Sequence, residues 1–401
     1  MNYIADKSYL AIKKETTEAT AVRPTVFLPL ESADIKTILN NAPDRRMHGN
    51  DFESIDLSQG ERSHEGKIKV WADPDTLGYI LDMFVKKGSS TGSAGAGYTH
   101  PFTVENPNTY TIEIPKGNYA QRFFGVKGDE LNLIFEEAKL KAEMDVKAQG
   151  QFSAAVIRDA ITGGAGAVLS LKQDYDLEPT RGLVAGDVIV IGAGTATEEE
   201  KTITSIGANG TDITFTASIA SNHSIGDVCY LKAQTISYAT LQKPFYFGDV
   251  LVGFGADESA AATAAASKTT ATPVHELAIK FQNNLLAAPT TNYRDPIKLL
   301  PQVKACELTI KQLFSNPDQH VKWLNLVKQG MCIIMRGRMI NTGTPTYNKF
   351  TFALHNAKLG DNAEPLNVGE YIMDEQTFKA AYDTGDAKAL TIELVNETAT
   401  Y

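Results

Sequence analysis

The feature that most constrains the fold of this chain is a short pattern that occurs twice. An alternating run, Lys67–Ala72, is followed by Asp73-Pro74-Asp75 and then by apolar residues at helical spacing. Much later, the run Glu307–Lys311 is followed by Asn316-Pro317-Asp318 and a second apolar series. A strand followed by a capped helix is therefore predicted in both places, and we expect two related halves.

Each residue of the two turns suits the start of a helix. Asp73 and Asn316 are favourable N-caps, because their side-chain oxygens can accept hydrogen bonds from the first N–H groups. Pro74 and Pro317 suit the first helical position, where a missing N–H does no harm. The apolar residues that follow predict one buried helix face in each half. They are Leu77, Ile80, Leu81, Phe84 and Val85 in the first half and Val321, Leu324 and Val327 in the second.

The correspondence extends in both directions from the helices. Gly88 and Gly330 are each expected to end a helix in the left-handed conformation. The matching upstream segments are Ile35-Lys36 with Asn40-Asn41, and Ile279-Lys280 with Asn283-Asn284. The downstream β-type runs are Tyr110–Ile114, Asn132–Phe135 and Lys139–Lys147 in one half, and Met331–Met335, Lys349–Ala353 and Ala389–Val395 in the other. We therefore predict a mainly β fold, a β-sandwich or barrel with flanking helices, built from two tandem units.

A third region stands apart between the two halves, from about Arg158 to Gln234. Short β-type runs follow one another there, separated by Gly and Asn turn residues and without a helical period. The runs are Ala167–Leu171, Asp187–Ile191, Thr202–Ile206, Asp212–Thr216 and Val228–Lys232. Three domains are thus predicted: a first unit at 1–157, an inserted small β domain at 158–237 and a second unit at 238–401.

Composition narrows the class of function. The formal net charge of −10 argues against nucleic-acid binding over the whole surface, since such proteins neutralise phosphates with Lys and Arg. No stretch approaches the roughly 18 apolar residues of a membrane span, and no signal pattern opens the sequence, so we expect a protein made and kept in a cytoplasm. Three distant cysteines, Cys229, Cys306 and Cys332, are expected to be small buried hydrophobes rather than disulfide partners or zinc ligands.

No group of residues predicts catalysis, a cofactor or a metal. The seven histidines are scattered without the spacing of a metal site. Gly88–Gly92 matches a Gly-x-Ser-x-Gly pattern around Ser90, but a nucleophile elbow needs a strand before it and a helix after it, and neither is predicted. Helix capping explains Asp73 and Asp75 better than metal binding does. Ala260–Ala266 is expected to form a mobile surface loop. We therefore predict a non-enzymatic structural protein.

At this point the order of elements resembles a known family, the tail tube (major tail) proteins of long-tailed bacteriophages. The segment Phe281–Leu286 is similar to the strand-and-Asn element of that family. The strand Glu307–Lys311 that follows it and the closing run Ala389–Asn396 are also similar to the family's pattern. The resemblance covers residues from about 24 to 157 and 238 to 401, without the insert.

The resemblance implies β units whose inner strands join into a ring around a lumen. Stacked rings would form a tube around the tape-measure protein, and DNA would later pass through it during genome ejection. Two fused units imply a homotrimer with pseudo-hexameric symmetry, with a homohexamer as the alternative. Tail terminator and tail-tip proteins would be neighbours, and the chain would lie in the virion after assembly in the host cytoplasm. The polar stretch Asp44–Gly66 is predicted to be a long loop and is the candidate contact to the next ring, and the insert is placed outside.

Two alternatives remain open. One is another tube-like phage or secretion component, such as a terminator or a baseplate hub. The other is an adhesive or carbohydrate-binding β protein with the insert as its binding module, although the insert offers only Tyr175, Phe215 and Tyr230 as aromatic residues.

Overall fold

The structure is a computed structural model of the 401-residue chain. It describes residues 8–43, 57–164, 166–173, 178–238, 242–289, 294–315, 317–341, 343, 345–363 and 371–401, with the backbone alone described at 42–43 and 57–59. Strands make up 55% of the chain and helices 8%. The predicted mainly β fold class with few flanking helices is confirmed.

The elements fall into three stretches of the chain. The first contains β1 (Leu10–Lys14), β2 (Val26–Leu28), β3 (Leu30–Pro43), β4 (Leu57–Trp71), α1 (Pro74–Phe84), β5 (Lys86–Lys87), β6 (Thr91–Ser93), β7 (Gly97–Thr103), β8 (Tyr110–Lys116), β9 (Tyr119–Glu136), β10 (Lys139–Ala148) and β11 (Gly150–Phe152). The second contains β12 (Ala154–Val156), β13 (Val168–Ser170), β14 (Val188–Ile191), β15 (Glu199–Ile206), β16 (Asp212–Phe215) and β17 (Val228–Leu231). The third contains β18 (Val250–Gly255), α2 (Glu258–Ala264), β19 (Glu276–Gln282), β20 (Leu285–Ala288), β21 (Lys298–Pro301), β22 (Ala305–Leu313), α3 (Asp318–Leu324), β23 (Gln329–Asn341), β24 (Thr346–Ala363), β25 (Met373–Ala381) and β26 (Leu390–Asn396).

Strands β12 to β17 form a separate six-stranded sheet in the order β12-β17-β14-β15-β16-β13. Each of the five β-type runs predicted in this region overlaps one of the strands β13 to β17. Apolar residues on these strands, with Phe152 from β11 and Ala120 from β9, form a core distinct from the main one. The apolar and turn residues of this segment therefore build a compact β layer that rests on β9 and β11.

The first and third stretches share one large hydrophobic core and repeat one pattern of strand pairing. In the first stretch β4 pairs with β3 and β10, and β10 pairs with the second part of β9. In the third stretch β22 pairs with β19 and β25, and β25 pairs with the second part of β24. The order β3-β4-β10-β9 therefore matches the order β19-β22-β25-β24.

The other layer repeats in the same way. The first part of β9 pairs with β8 and β11, and β8 pairs with β1. The first part of β24 pairs with β23 and β26, and β23 pairs with β18. Each long strand, of 18 residues, is thus shared by two layers with the core between them. The order of runs in the sequence makes Ala389–Val395 the counterpart of Lys139–Lys147. The strand pairing instead makes β25 its counterpart.

Helix α1 begins as the sequence predicts. The Asp73 carboxylate accepts hydrogen bonds from the N–H groups of Asp75 at 2.9 Å and Thr76 at 2.8 Å, and Pro74 is the first helical residue. Burial raises the pKa of the Asp73 carboxyl, and the hydrogen bonds from Thr76 and Asp75 oppose that rise. Both aspartates therefore have a structural explanation in the start of the helix.

Neither α1 nor α3 ends at a glycine. Val85 follows α1 in an extended conformation and donates its N–H to Leu81 O at 2.8 Å. Gly88 is not among the residues with positive φ, and in the second half it is Leu326, with a φ of 48°, that follows the helix. The predicted glycine caps are therefore wrong, because extended residues and a left-handed leucine terminate the two helices. Asn316, the predicted N-cap of α3, lies outside the described residues.

A helix lies where the sequence predicted a loop at Ala260–Ala266. The Asp257 side chain caps α2, and Ala261 is fully buried against strands β18 and β23. A Cβ atom on Gly253 would lie 2.1 Å from Ala261 O, and one on Gly330 would lie 2.0 Å from the Asp257 backbone. Small residues on both surfaces let the helix lie directly on the sheet, and this also explains Gly330, which is a strand residue. The prediction of a loop is wrong because the composition of Ala260–Ala266 does not reveal that these residues pack against glycines of the sheet.

The predicted long loop Asp44–Gly66 is partly strand. β4 begins at Leu57, and the pairing of β3 with β4 runs from Leu30↔Val70 to Pro43↔Leu57. The prediction is therefore wrong for 57–66, where polar residues belong to a long two-stranded arm. Residues 44–56 lie outside the described residues.

Candidate assembly interface

The two matching four-stranded sections join edge to edge inside the chain. The second part of β9 pairs with β19 in antiparallel register, from Ile134↔Ala278 to Glu130↔Gln282. The sheet therefore runs without interruption through β3-β4-β10-β9-β19-β22-β25-β24. We call the contact between β9 and β19 the internal junction.

The same sheet has two open ends. Within the described part of the chain, β3 pairs with β4 alone and the second part of β24 pairs with β25 alone. The outer edge of β3 corresponds to the edge of β19, and the outer edge of β24 corresponds to the edge of β9. Open strand edges present unpaired N–H and C=O groups that another chain can pair with.

A buried asparagine closes the internal junction. Asn283 is fully buried, and its Nδ2 donates to Phe84 O at 2.9 Å and to Gly128 O at 2.8 Å. Its backbone N–H donates to Asp129 O at 2.7 Å. The side chain of one residue of the third stretch thus holds together the last residue of α1 and the irregular point of β9.

The core side of this junction is apolar. Leu81 and Phe84 of α1 line a small cavity together with Ile279 and Phe281 of β19. A Cβ on Gly128 would lie 2.3 Å from the Phe84 ring, so glycine is required for this close packing. Helix α1 therefore contacts both halves at the point where they meet.

Residues 396–401 cover the other side of α1. Asn396 Nδ2 donates to Pro74 O at 2.7 Å, and Thr398 Oγ1 donates to the Asp75 carboxylate at 2.8 Å. A Cβ atom on Gly78 would lie only 2.0 Å from the Tyr401 ring, so the glycine leaves room for that ring. Almost every residue of α1 is buried as a result.

The segment Gly88–Gly92, which matches Gly-x-Ser-x-Gly in sequence, is linked to residues 396–401 through His100. Ser90 Oγ lies 2.8 Å from His100 Nδ1, and His100 Nε2 lies 3.1 Å from Asn396 Oδ1. With that oxygen as acceptor, Nε2 carries the proton and Nδ1 accepts from the serine hydroxyl. The sequence did not reveal this Ser–His–Asn series, whose members are far apart in the chain. His100 is fully buried with its ring centroid 4.9 Å from that of Tyr401, and the series ties the β6–β7 region to the segment that covers α1.

Burial lowers the pKa of His100, and the positive charge of Lys87 lowers it further. The neutral imidazole is therefore the stable form in this position.

Helix α3 occupies the place of α1 in the second half but lacks such a cover. Counted from Pro74 and Pro317, four exposed positions of this region match a residue of α1 or its end. The matches are Val321 with Gly78, Leu324 with Leu81, Leu326 with Met83 and Val327 with Phe84. Their exposed fractions are 52% for Val321, 64% for Leu324, 60% for Leu326 and 42% for Val327, whereas all four counterparts are buried.

The prediction of a buried α3 face is therefore wrong for the single chain. Pro317 also precedes the helix and makes no side-chain cap, whereas the sequence placed it at the first helical position. Within the described residues, nothing corresponding to 396–401 lies over this helix. We call Val321, Leu324, Leu326 and Val327 the α3 patch.

The solvent face of the long sheet is polar and locally balanced in charge. Lysines lie opposite carboxylates on neighbouring strands. The pairs are Lys67–Asp145 at 3.3 Å, Lys280–Glu130 at 3.0 Å, Lys311–Glu276 at 3.3 Å, Lys379–Glu307 at 3.6 Å, and Lys69–Glu143. Such exposed pairs add little stability, but each neutralises a lysine that could otherwise bind an anion.

The β12–β17 sheet is fixed to β8 and β9 by a buried charge cluster. Arg122 is fully buried and donates to the Glu113 carboxylate at 2.7 Å and to the Asp187 carboxylate at 2.8 Å. Burial alone would lower the pKa of the Arg122 guanidinium, but the two carboxylates raise it overall. Tyr9 and Gln234 both donate to Glu113 as well. The inserted sheet is therefore connected to the rest of the chain by more than its two polypeptide links.

The hairpin β20–β21 lies in the chain between β19 and β22. Leu285 and Leu299 are buried on its inner face, and Lys147 Nζ donates to Leu285 O at 2.7 Å. Its outer face carries Leu286 and Leu300, which are half exposed. The hairpin thus presents a second, smaller apolar surface beyond the end of β19 and the start of β22.

Residues that could carry chemistry are dispersed. Among the described residues, no three His, Cys, Asp or Glu side chains lie close enough to hold a metal ion, and no helix could span a membrane. Cys229, Cys306 and Cys332 are buried, as predicted, and burial raises the pKa of each thiol to about 12.

The fold and its open edges define a mainly β protein with an internally repeated strand pattern. No protein-family model matches the sequence, and no curated protein is significantly similar to it.

Proposed function

We propose that this chain is a structural virion protein whose copies join end to end into rings, which stack into the tail tube of a bacteriophage. The observation that carries the proposal is the internal junction. The chain already contains one contact of the kind needed, between the edge of β9 and the edge of β19, and within its described residues it leaves the two corresponding edges open.

The symmetry of the repeat sets the number of copies. If the outer edge of β24 meets β3 of the next copy as β9 meets β19, each chain contributes two similar sections and two similar junctions. A ring of six sections then contains three chains, because a closed ring needs equivalent contacts throughout. Edge pairing would also remove the open strands that otherwise promote aggregation.

The balanced solvent face suits the wall of a channel. The sequence suggested that overall negative charge would keep DNA from binding, and the paired lysines give a more local reason. Phosphates attract unpaired lysines and arginines, whereas each lysine of these pairs has a carboxylate within reach. A polymer could pass along such a face without a continuous positive track.

Electron microscopy of the purified full chain at high concentration tests the proposal. We expect rings with threefold symmetry, three peripheral densities for the β12–β17 sheets, and stacks of such rings. A particle that stays monomeric at every concentration would refute ring formation. Six peripheral densities per ring would refute the trimer and favour the hexamer.

The external position of the inserted domain has its own test. Deleting 158–237 should leave ring formation intact, since both junction edges lie outside that range. The deletion leaves the buried pair Arg122–Glu113 together, so no single buried charge is created. Loss of assembly with retained secondary structure would contradict the external placement.

A further inference from the structure

The internal junction also specifies which residues would meet between copies, once the two halves are aligned by their strand pairing. One transverse row of the first half contains Ile35, Gly66, Val146 and Gly128. The corresponding row of the second half contains Ile279, Leu308, Phe378 and Leu359. In both halves the ladder becomes irregular at the next residue of the long strand, Asp129 in β9 and Gly360 in β24.

This alignment gives a register for contact between copies. Within the chain, Glu130, Leu131 and Asn132 pair with Gln282, Phe281 and Lys280. The equivalent pairs between copies are Asp361 with Ile38, Asn362 with Thr37, and Ala363 with Lys36.

The same alignment places Leu39 at the position of Asn283. Each lies four residues beyond the buried isoleucine of its row, Ile279 or Ile35. Asn283 contacts the last residue of α1, Phe84, whose counterpart in the second half is Val327. Leu39 is 46% exposed although it lies on the core side of β3, so its apolar surface is open in the single chain.

We propose that Leu39 of one copy packs against Leu324 and Val327 of the α3 patch of a second copy, so that an apolar contact replaces the hydrogen-bonded asparagine of the internal junction. The occupant is another copy of this chain, because the internal junction already shows how the equivalent edge, that of β19, meets the equivalent helix, α1. The proposal rests on end-to-end assembly and adds to it the residues that form the contact. The paired Asn motifs of the sequence are thus not equivalent in register, since Asn40 lies one position beyond Leu39.

The two surfaces fit each other chemically. Leu39 and the α3 patch lie at opposite ends of the sheet, and both expose branched aliphatic side chains. Exposed apolar patches that lie beside open strand edges are typical of association sites. Their burial would give α3 the apolar surroundings that α1 already has.

Association of the full chain tests the contact. Leu39→Ser should weaken association between copies about 5- to 10-fold, and Leu324→Ser with Val327→Ser roughly 10- to 100-fold, by loss of buried apolar area. Matched controls are Ile225→Ser with Val228→Ser, which are 67% and 44% exposed on the inserted domain and should leave association unchanged. Sedimentation velocity measures all of them, and the thermal unfolding temperature should stay constant because every substituted side chain is already exposed.

Disulfide formation between copies gives a direct readout. A chain with Leu39→Cys mixed with a chain with Val327→Cys should form a covalent dimer under mild oxidation, whereas Val228→Cys in place of Leu39→Cys should not. The three native cysteines are buried and should not compete.

The outcomes separate this inference from the ring itself. If wild-type chains assemble but the serine variants associate normally and no cross-link forms, the Leu39 contact is wrong and ring formation stands. If wild-type chains never associate, both proposals fail.

Discussion

Asn283 gives the sharpest test of how the two halves are joined. Its side chain is fully buried and donates one hydrogen bond to Phe84 O and one to Gly128 O. Its Oδ1 has no hydrogen-bond partner among the described residues, so removing the carboxamide removes two side-chain hydrogen bonds and no others. The substitution Asn283→Ala therefore isolates the polar closure of the internal junction.

The expected cost follows from those two bonds. Each hydrogen bond contributes about 1 kcal/mol net, and a carbonyl left without its donor in a buried site costs about 1–3 kcal/mol. A carbonyl oxygen can retain a second partner, which keeps the sum near the lower end. We expect Asn283→Ala to reduce the free energy of unfolding by about 2–3 kcal/mol.

Urea unfolding followed by circular dichroism and by tryptophan fluorescence would measure the change. The matched control is Asn40→Ala, in the segment that the sequence pairs with Asn283, because Asn40 is exposed and should change stability by less than about 0.5 kcal/mol. Equal effects of the two substitutions would show that the junction does not depend on Asn283 and would refute the reasoning.

Three further results are expected. Arg122→Ala should destabilise the chain by about 3–5 kcal/mol in urea unfolding, because Glu113 and Asp187 would stay buried without their cation; a loss below about 1 kcal/mol would contradict this. The free energy of unfolding should decrease as the pH falls below about 6.5, because the pKa of His100 is lowered in the folded chain and the unfolded chain therefore binds the proton first. The slope of unfolding temperature against pH should be smaller in His100→Gln. An unchanged slope would exclude His100 as its source. Gly330→Ala should cost about 1–3 kcal/mol because its Cβ would overlap the Asp257 backbone, whereas Gly248→Ala, with no atom within 4 Å, should change thermal stability little; similar shifts for both would argue against close packing of α2.

Local patterns predicted the elements that depend on local chemistry. The Asp73 cap, the strands of the insert and the alternating strand β10 all follow from residue type and spacing over a few positions. The register of the repeat could not be obtained in the same way, because it is set by pairing between distant strands and by bulges, such as those at Asp129 and Gly360, that have no sequence signal. In that pairing Leu39, and not Asn40, takes the position of Asn283, so the two Asn pairs match in sequence and not in the sheet.

The surroundings of each helix also could not be predicted from the sequence. The apolar spacing of Leu324 and Val327 predicts an amphipathic helix, but exposure depends on whether another segment lies over it. For α1 that segment is 396–401, more than 300 residues away in the chain, as the bond from Asn396 to Pro74 shows. For α2, burial depends on Gly253 and Gly330 in two separate strands. Contacts of this kind are set by topology and not by local pattern.

Fusing two sections in one chain has a consequence for the order of events in assembly. The β9–β19 contact forms within a molecule, at the high effective concentration of linked segments, so it is complete once the chain has folded. In the proposed ring, the contact at β3 and α3 would depend on the concentration of free copies and on the apolar closure by Leu39. Half of the junctions in a ring would then be permanent and half reversible, so growth could be held back until a nucleus presents the first open edge.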